Sequence, residues 1–223
     1  MNVIFGSAGF AKEVDWLIDE IYRSGGVDYR PSYFVAEENN VYIGEMINGA
    51  TIIAESEFFQ IVENRSIYNC FFAVGNPVIR GKIVEKVKIN LPKDRFPNVH
   101  FPNIIHPDVT YDKRENKVTF GEGTIIVSKN VITTDIKVGD FVHLNMDCTV
   151  GHDSIIDNFC TISPGVHISG NVHLEDRVFI GTGANILEKI FVCSGTIIGA
   201  GSTVVKSITE PGTYAGVPAK RIK

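Results

Sequence analysis

From residue 120 to residue 204 every sixth position is apolar: Phe120, Ile126, Ile132, Val138, Leu144, Val150, Ile156, Ile162, Ile168, Leu174, Ile180, Ile186, Val192, Ile198 and Val204. Two residues before each of these steps the side chain is usually small or β-branched, as at Thr124, Val142, Cys148, Ser154, Cys160, Val166, Ala184 and Ser202, with Asn130 the one clear misfit. A period of six suits neither a 3.6-residue helix nor the longer strand-and-turn rhythm of a sandwich. It predicts a parallel β-helix. Each hexad supplies a short strand and a corner, three hexads close a triangular coil, and residues 18 apart stack at about 4.8 Å. The large aliphatics are expected to point inward and the small residues to fill the gaps beside them. Glycine or asparagine is expected to relieve the corner backbone, as at Gly139, Gly151, Gly181 and Gly199.

The first hundred residues keep a different beat. Residues 2–5 read as a buried strand, Gly6-Ser7-Ala8-Gly9 as a turn, and Val14, Leu17, Ile18 and Ile21 as the apolar stripe of a helix. Further strands are expected at 33–36, ending in Glu37-Glu38, and at 70–74, ending in Gly75-Asn76. Helices are expected at 57–63, capped by Ser56, and at 78–87. The alternation predicts a small Rossmann-like parallel α/β domain over residues 1–100, followed by a β-helix domain with a C-terminal tail over residues 101–223. In such sheets ligands bind beyond the carboxyl ends of the strands, where the glycine turn, Glu37 and Asn76 converge, and free N–H groups at a helix start suit a phosphate. Ala11-Lys12 stands where the dinucleotide fingerprint has its third glycine, which argues against a full NAD site.

The 223 residues are 44% apolar and 21% charged with a formal net charge of −5, which excludes a disordered or collagen-like chain. No apolar run is long enough to span a bilayer, and the N-terminus lacks a secretory pattern, so a cytoplasmic location with no membrane span is expected. The acidic balance, with no basic stripe, argues against a nucleic-acid partner. Cys70, Cys148, Cys160 and Cys193 show no zinc spacing and are expected to be reduced, with Cys148 and Cys160 packed inside the prism.

The hexads resemble the repeat of the hexapeptide acyltransferases, whose coils wind left-handed, and Gly216-Val217-Pro218-Ala219-Lys220 resembles that superfamily's ending. Joined to a small α/β domain, they resemble the NeuD-type sugar acyltransferases, which act in bacterial surface glycan biosynthesis. Phe5-Gly6-Ser7-Ala8-Gly9, Ala73-Val74-Gly75-Asn76 with Arg80, and Ile105-His106-Pro107 carry that likeness. It implies a nucleotide-linked aminosugar, with a uridine or thymidine diphosphate, held by Gly6, Ser7, Gly9, Glu37 and Asn76.

Acetyl transfer to an amine needs a base, donors for the oxyanion and a groove for the coenzyme arm. His152, in Val150-Gly151-His152-Asp153, is expected to project outward in mid-hexad, and it matches the segment carrying the family's general base. Asp153 is its natural orienting partner, although neighbours on a strand point to opposite faces. The resemblance places Asn145 near the sugar and the backbone N–H of Gly170 near the acetyl oxygen. Some members carry a second histidine nine residues after the base, where this chain has Thr161, which leaves that position a hydrogen-bonding role toward acetyl-CoA. Backbone groups near Gly181, Gly199 and Ala200 are expected to meet the pantetheine, and Lys206, Lys220 and Arg221 its phosphates. His143, His152, His167 and His173 share no stacking column, so no metal site is expected. One prism offers half a groove, which predicts a homotrimer with sites at the subunit boundaries. Two alternatives stay open: O-acetylation of a free sugar such as a sialic acid, and a non-catalytic sugar-nucleotide-binding scaffold.

Overall fold

Two rhythms of apolar residues build two units in the computed structural model, which describes residues 1–63 and 66–223. Residues 1–75 with 79–102 form the first unit, and residues 76–78 with 103–223 the second.

The first unit is a six-stranded sheet ordered β3-β4-β2-β1-β5-β6. Its strands are β1 (Asn2–Phe5), β2 (Tyr33–Ala36), β3 (Met46–Ile47), β4 (Ala50–Ala54), β5 (Tyr68–Phe72) and β6 (Val99–His100). All neighbours run parallel except β3 and β4. Interspersed are α1 (Gly9–Arg23), α2 (Glu55–Ile61) and α3 (Pro77–Asn90). Ala11, Val14, Leu17 and Ile18 form the buried stripe of α1. The β3–β4 hairpin, outside the predicted elements, turns on Asn48-Gly49, both at positive φ, a sequence signal for a tight hairpin turn. The helix expected at 57–63 begins two residues earlier. Ser56 does not cap it: the Glu38 carboxylate, from the end of β2, accepts the Ser56 N–H at 2.7 Å and the Ser56 hydroxyl at 2.9 Å. These bonds hold the Glu38 carboxyl below its ordinary pKa.

In the second unit the hexads fold into three parallel stacks of two- and three-residue strands, one stack per face of a prism. The first face includes Ile125–Ile126, His143–Leu144, Thr161–Ile162, Phe179–Ile180 and Ile197–Ile198. The second includes Val131–Ile132, Thr149–Val150, His167–Ile168, Asn185–Ile186 and Thr203–Val204. The third includes Ile136–Val138, Ile155–Ile156, His173–Leu174 and Phe191–Val192. Pairing runs in steps of 18, as in Leu144 with Ile162 and Val150 with Ile168. This is the architecture of a left-handed β-helix acyltransferase. The sixth-position aliphatics from Ile126 to Val204 are all buried, and Phe120 at the open end is partly so. Each buried aliphatic contributes about 1.5–3 kcal/mol, so the column of core residues is the main source of the prism's stability.

Two details correct the sequence reading. Corner relief falls at Lys129, Asp135, Phe141, Asp147, Asp153, Phe159 and their equivalents, where φ is positive at every sixth residue, not at Gly139, Gly151, Gly181 or Gly199. Those four sit two residues earlier, where the next coil approaches closely: a Cβ on Gly151 would lie 2.6 Å from the Gly170 nitrogen. The small inward residues also bond across the corner, rather than merely filling space. Thr124, Cys148, Ser154 and Cys160 each donate to the carbonyl 15 residues ahead, at 3.0–3.2 Å. Asn130, the apparent misfit, is fully buried and satisfied: its Nδ2 donates to the Val127 carbonyl at 2.6 Å and its Oδ1 accepts the Cys148 N–H at 3.1 Å.

Candidate active site

His152 leaves the second face just after the strand Thr149–Val150, and its carbonyl accepts the Asn171 N–H at 2.8 Å. The next residue, Asp153, takes the left-handed corner conformation with φ of 59°. The corner therefore removes the strand alternation that would separate the two side chains. Their contact is His152 Nδ1 to Asp153 Oδ2 at 2.8 Å, with side chains 60% and 55% exposed. A carboxylate at Nδ1 favours the tautomer with the proton there, leaving the Nε2 lone pair available. Nε2 lies against Gly170, one coil further on: a Cβ on Gly170 would be 2.7 Å from it. The Gly170 carbonyl accepts the Lys189 N–H, while its own N–H has no acceptor among the described residues. A basic nitrogen and an uncommitted amide donor thus meet on one corner, which suits proton removal beside a developing oxyanion.

The other expected residues do not all converge there. Lys206 stands three coils beyond His152 on the same corner, since 152, 170, 188 and 206 are 18 apart, which at the strand spacing is about 14 Å. Asn145, Gly181 and Gly199, with Ala200 beside the last, form the column at the opposite edge of the second face. That side of the prism is about six residues, roughly 20 Å, across. Thr161 is on the first face, buried between His143 and Phe179 in the stack. The Arg221 guanidinium is engaged within the tail, by Glu210 at 2.9 Å and the Pro211 carbonyl at 3.0 Å, while Lys206 and Lys220 are exposed. Among the remaining histidines, His167 Nδ1 meets Thr149, and His173 Nε2 meets Asp157 at 2.8 Å. Among the described residues no group of three or more His, Cys, Asp or Glu side chains is placed to hold a metal ion. No helix among them is long and apolar enough to cross a membrane.

A second concavity belongs to the first unit. A cavity of about 280 Å³ opens at the carboxyl ends of β1, β2 and β4, lined in part by Gly6, Ser7, Glu37, Asn40 and Glu55. Gly6 has φ of 120°, and a Cβ there would lie 2.8 Å from the Ala73 carbonyl oxygen, so the close turn requires glycine. Asn40 holds the Ser7 hydroxyl at 3.1 Å. Gly9 opens α1 beside this turn, and Asn76 lies in the segment grouped with the second unit, where its Oδ1 accepts the Val78 N–H. Asn40 and Glu55 were missed in the sequence. Asn40 has no local signature, and Glu55 is placed at the cavity by a strand, β4, that was not predicted.

No protein-family model matches the chain. A GDP-perosamine N-acetyltransferase of Escherichia coli is 29% identical over 202 residues, covering 89% of this chain and 82% of the relative. The acetyltransferase domain of PglB from Neisseria gonorrhoeae, also solved in complex with acetyl coenzyme A, superposes with a TM-score of 0.80 at 28% identity, over 99% of this chain and 98% of that one. A mutant of perosamine N-acetyltransferase from Caulobacter crescentus, solved in complex with CoA and GDP-perosamine, shares the fold with a TM-score of 0.83 at 24% identity, over 99% and 96% of the two chains. With the unbroken hexad prism and the His152–Asp153 corner, the chain resembles sugar N-acetyltransferases of the NeuD-type hexapeptide-repeat kind along nearly its whole length.

Proposed function

We propose that this enzyme transfers acetyl from acetyl-CoA to the amino group of a nucleotide-linked amino-deoxysugar by direct attack, with His152 as general base. One observation carries the assignment: the His152 imidazole is anchored at Nδ1 by Asp153 and faces Gly170 through Nε2. The neutral amine attacks the thioester carbonyl carbon, and as the C–N bond forms Nε2 takes a proton from the amine nitrogen. The carbonyl electrons move to oxygen, where the Gly170 N–H donates. Collapse breaks the C–S bond, and the departing thiolate takes the proton from the imidazolium.

The first unit is read as a Rossmann-like module in which Gly6, Ser7, Gly9 and Glu37 hold the nucleotide. Its glycine turn and the start of α1 offer N–H groups to the diphosphate. Within one chain the second face separates His152, Asp153 and Gly170 from Asn145, Gly181, Gly199 and Ala200 by roughly 20 Å. A homotrimer resolves this, because one copy's His152 corner then meets the next copy's Asn145 corner. The coenzyme arm runs up that seam past Thr161, Gly181, Gly199 and Ala200, toward Lys206 and Lys220. Arg221, tied to Glu210, is the weakest of the expected phosphate contacts. Such an enzyme belongs in the cytoplasm with its acetyl-CoA supply.

The test is thiol release from acetyl-CoA with a panel of nucleotide-linked aminosugars. His152→Ala should lower turnover by about 10²-fold or more. Near-normal turnover in a folded His152→Ala protein rejects the assignment.

A further inference from the structure

The cavity of the first unit carries more information than the presence of a nucleotide. From the glycine turn after β1 the sheet runs outward to β2 and then β4, so a nucleotide diphosphate at that turn lays its ribose beside Glu37, which follows β2. Its base then reaches the end of β4, where Glu55 begins α2. Glu55 lines the cavity with a side chain only 9% exposed, and its carboxylate pairs with the Lys86 ammonium of α3. Lys86 lies about one turn beyond Ile83, which lines the same cavity.

We infer that the Glu55–Lys86 pair reads the base and selects guanine, in place of the uracil or thymine expected from the sequence; this rests on the nucleotide-sugar reading above. In this reading the Glu55 carboxylate, which lines the cavity, offers two acceptors, and the Lys86 ammonium bonded to it supplies a donor beside them. The outer edge of guanine presents the complement, the O6 acceptor followed by the N1–H and N2–H donors. Two parallel N–H bonds to one carboxylate form a charge-assisted, geometrically selective pair. Uracil and thymine offer acceptor, donor, acceptor, so their O2 faces a carboxylate oxygen and repels it. Adenine and cytosine mismatch at two positions or more. A site built on such bonds discriminates strongly, because a wrong base sets an acceptor against the buried Glu55 carboxylate.

Calorimetric titration of the full chain with GDP, IDP, UDP and dTDP tests this. GDP should bind at least about tenfold tighter than UDP or dTDP, and IDP, which lacks only the N2 amino group, at least about tenfold weaker than GDP. In Glu55→Gln the amide offers one acceptor and one donor, matching the N3–H and O2 of uracil. The variant should therefore lose GDP affinity while gaining UDP affinity, a crossover that misfolding does not produce. UDP or dTDP binding as tightly as GDP, or IDP binding as tightly as GDP, overturns the guanine assignment and leaves the nucleotide reading standing. Binding of acetyl-CoA with none of the four diphosphates overturns both.

Discussion

Gly170→Ala isolates the contact on which the catalytic assignment depends. Gly170 has no left-handed φ, so alanine is compatible with its backbone, and the change by itself stabilises the chain slightly, by about 0.4–1 kcal/mol, through the unfolded state. The new methyl would stand 2.7 Å from His152 Nε2, 2.8 Å from Cε1 and 3.1 Å from Cδ2, whereas ordinary contact begins at 3.4 Å. The imidazole must therefore move by about 0.7 Å or more, and being at the exposed end of a side chain it can do so without disturbing the prism. That movement stretches the 2.8 Å bond to Asp153 and pulls Nε2 off the line to the attacking amine. Displacements of about 1 Å at reacting atoms cost on the order of 10²-fold in rate. Steady-state thiol release should then show kcat reduced by about 10²-fold with little change in the KM for acetyl-CoA, while calorimetry shows an unchanged or slightly raised Tm. Wild-type kcat in the variant would refute the placement of His152 against Gly170. A lowered Tm with a matching loss of activity would refute the claim that the imidazole alone absorbs the clash.

If each site is shared between copies, mixed trimers of two inactive variants should recover activity. Random assembly of His152→Ala with Asn145→Ala chains should restore about a quarter of the sites, and no recovery in verified mixed trimers argues for a site within one chain. Asn130→Ala leaves the buried Cys148 N–H without its side-chain acceptor and opens a small void, which should cost about 1–3 kcal/mol in a urea titration. Burial raises the pKa of Asp15 on α1 despite its 2.6 Å hydrogen bond from Asn48. A raised carboxyl favours the fold most below the ordinary carboxyl pKa and less as pH climbs through the raised one, so Asp15→Asn should raise Tm at pH 7 and do so less at pH 4.

The prism was legible because a period of six admits only one way to bury a residue at every step, and the structure buries Ile126 through Val204 as that pattern requires. β1 and β2 were equally plain, being short apolar runs bounded by turn residues. The β3–β4 hairpin was missed although Asn48-Gly49 announced its turn, since Met46–Ile47 is too short to show alternation. Without β4, nothing in the sequence places Glu55 at the cavity. Asn130 looked like a defect in the sequence because pattern counts polarity and cannot see that Val127 and Cys148 satisfy it from the same corner and the next coil.

By itself, then, the chain's composition of repeats determined the prism, the outward placement of His152 and the columns in which its candidate partners stand, because those follow from counting residues around a closed coil. Only tertiary structure decided that Asp153 reaches the imidazole, that Gly170 is pressed against it, and that Glu38 rather than Ser56 caps α2. The reason is physical. Periodicity fixes which residues share a face, whereas a hydrogen bond across a corner depends on a single left-handed φ and on which backbone the next coil brings within about 3 Å.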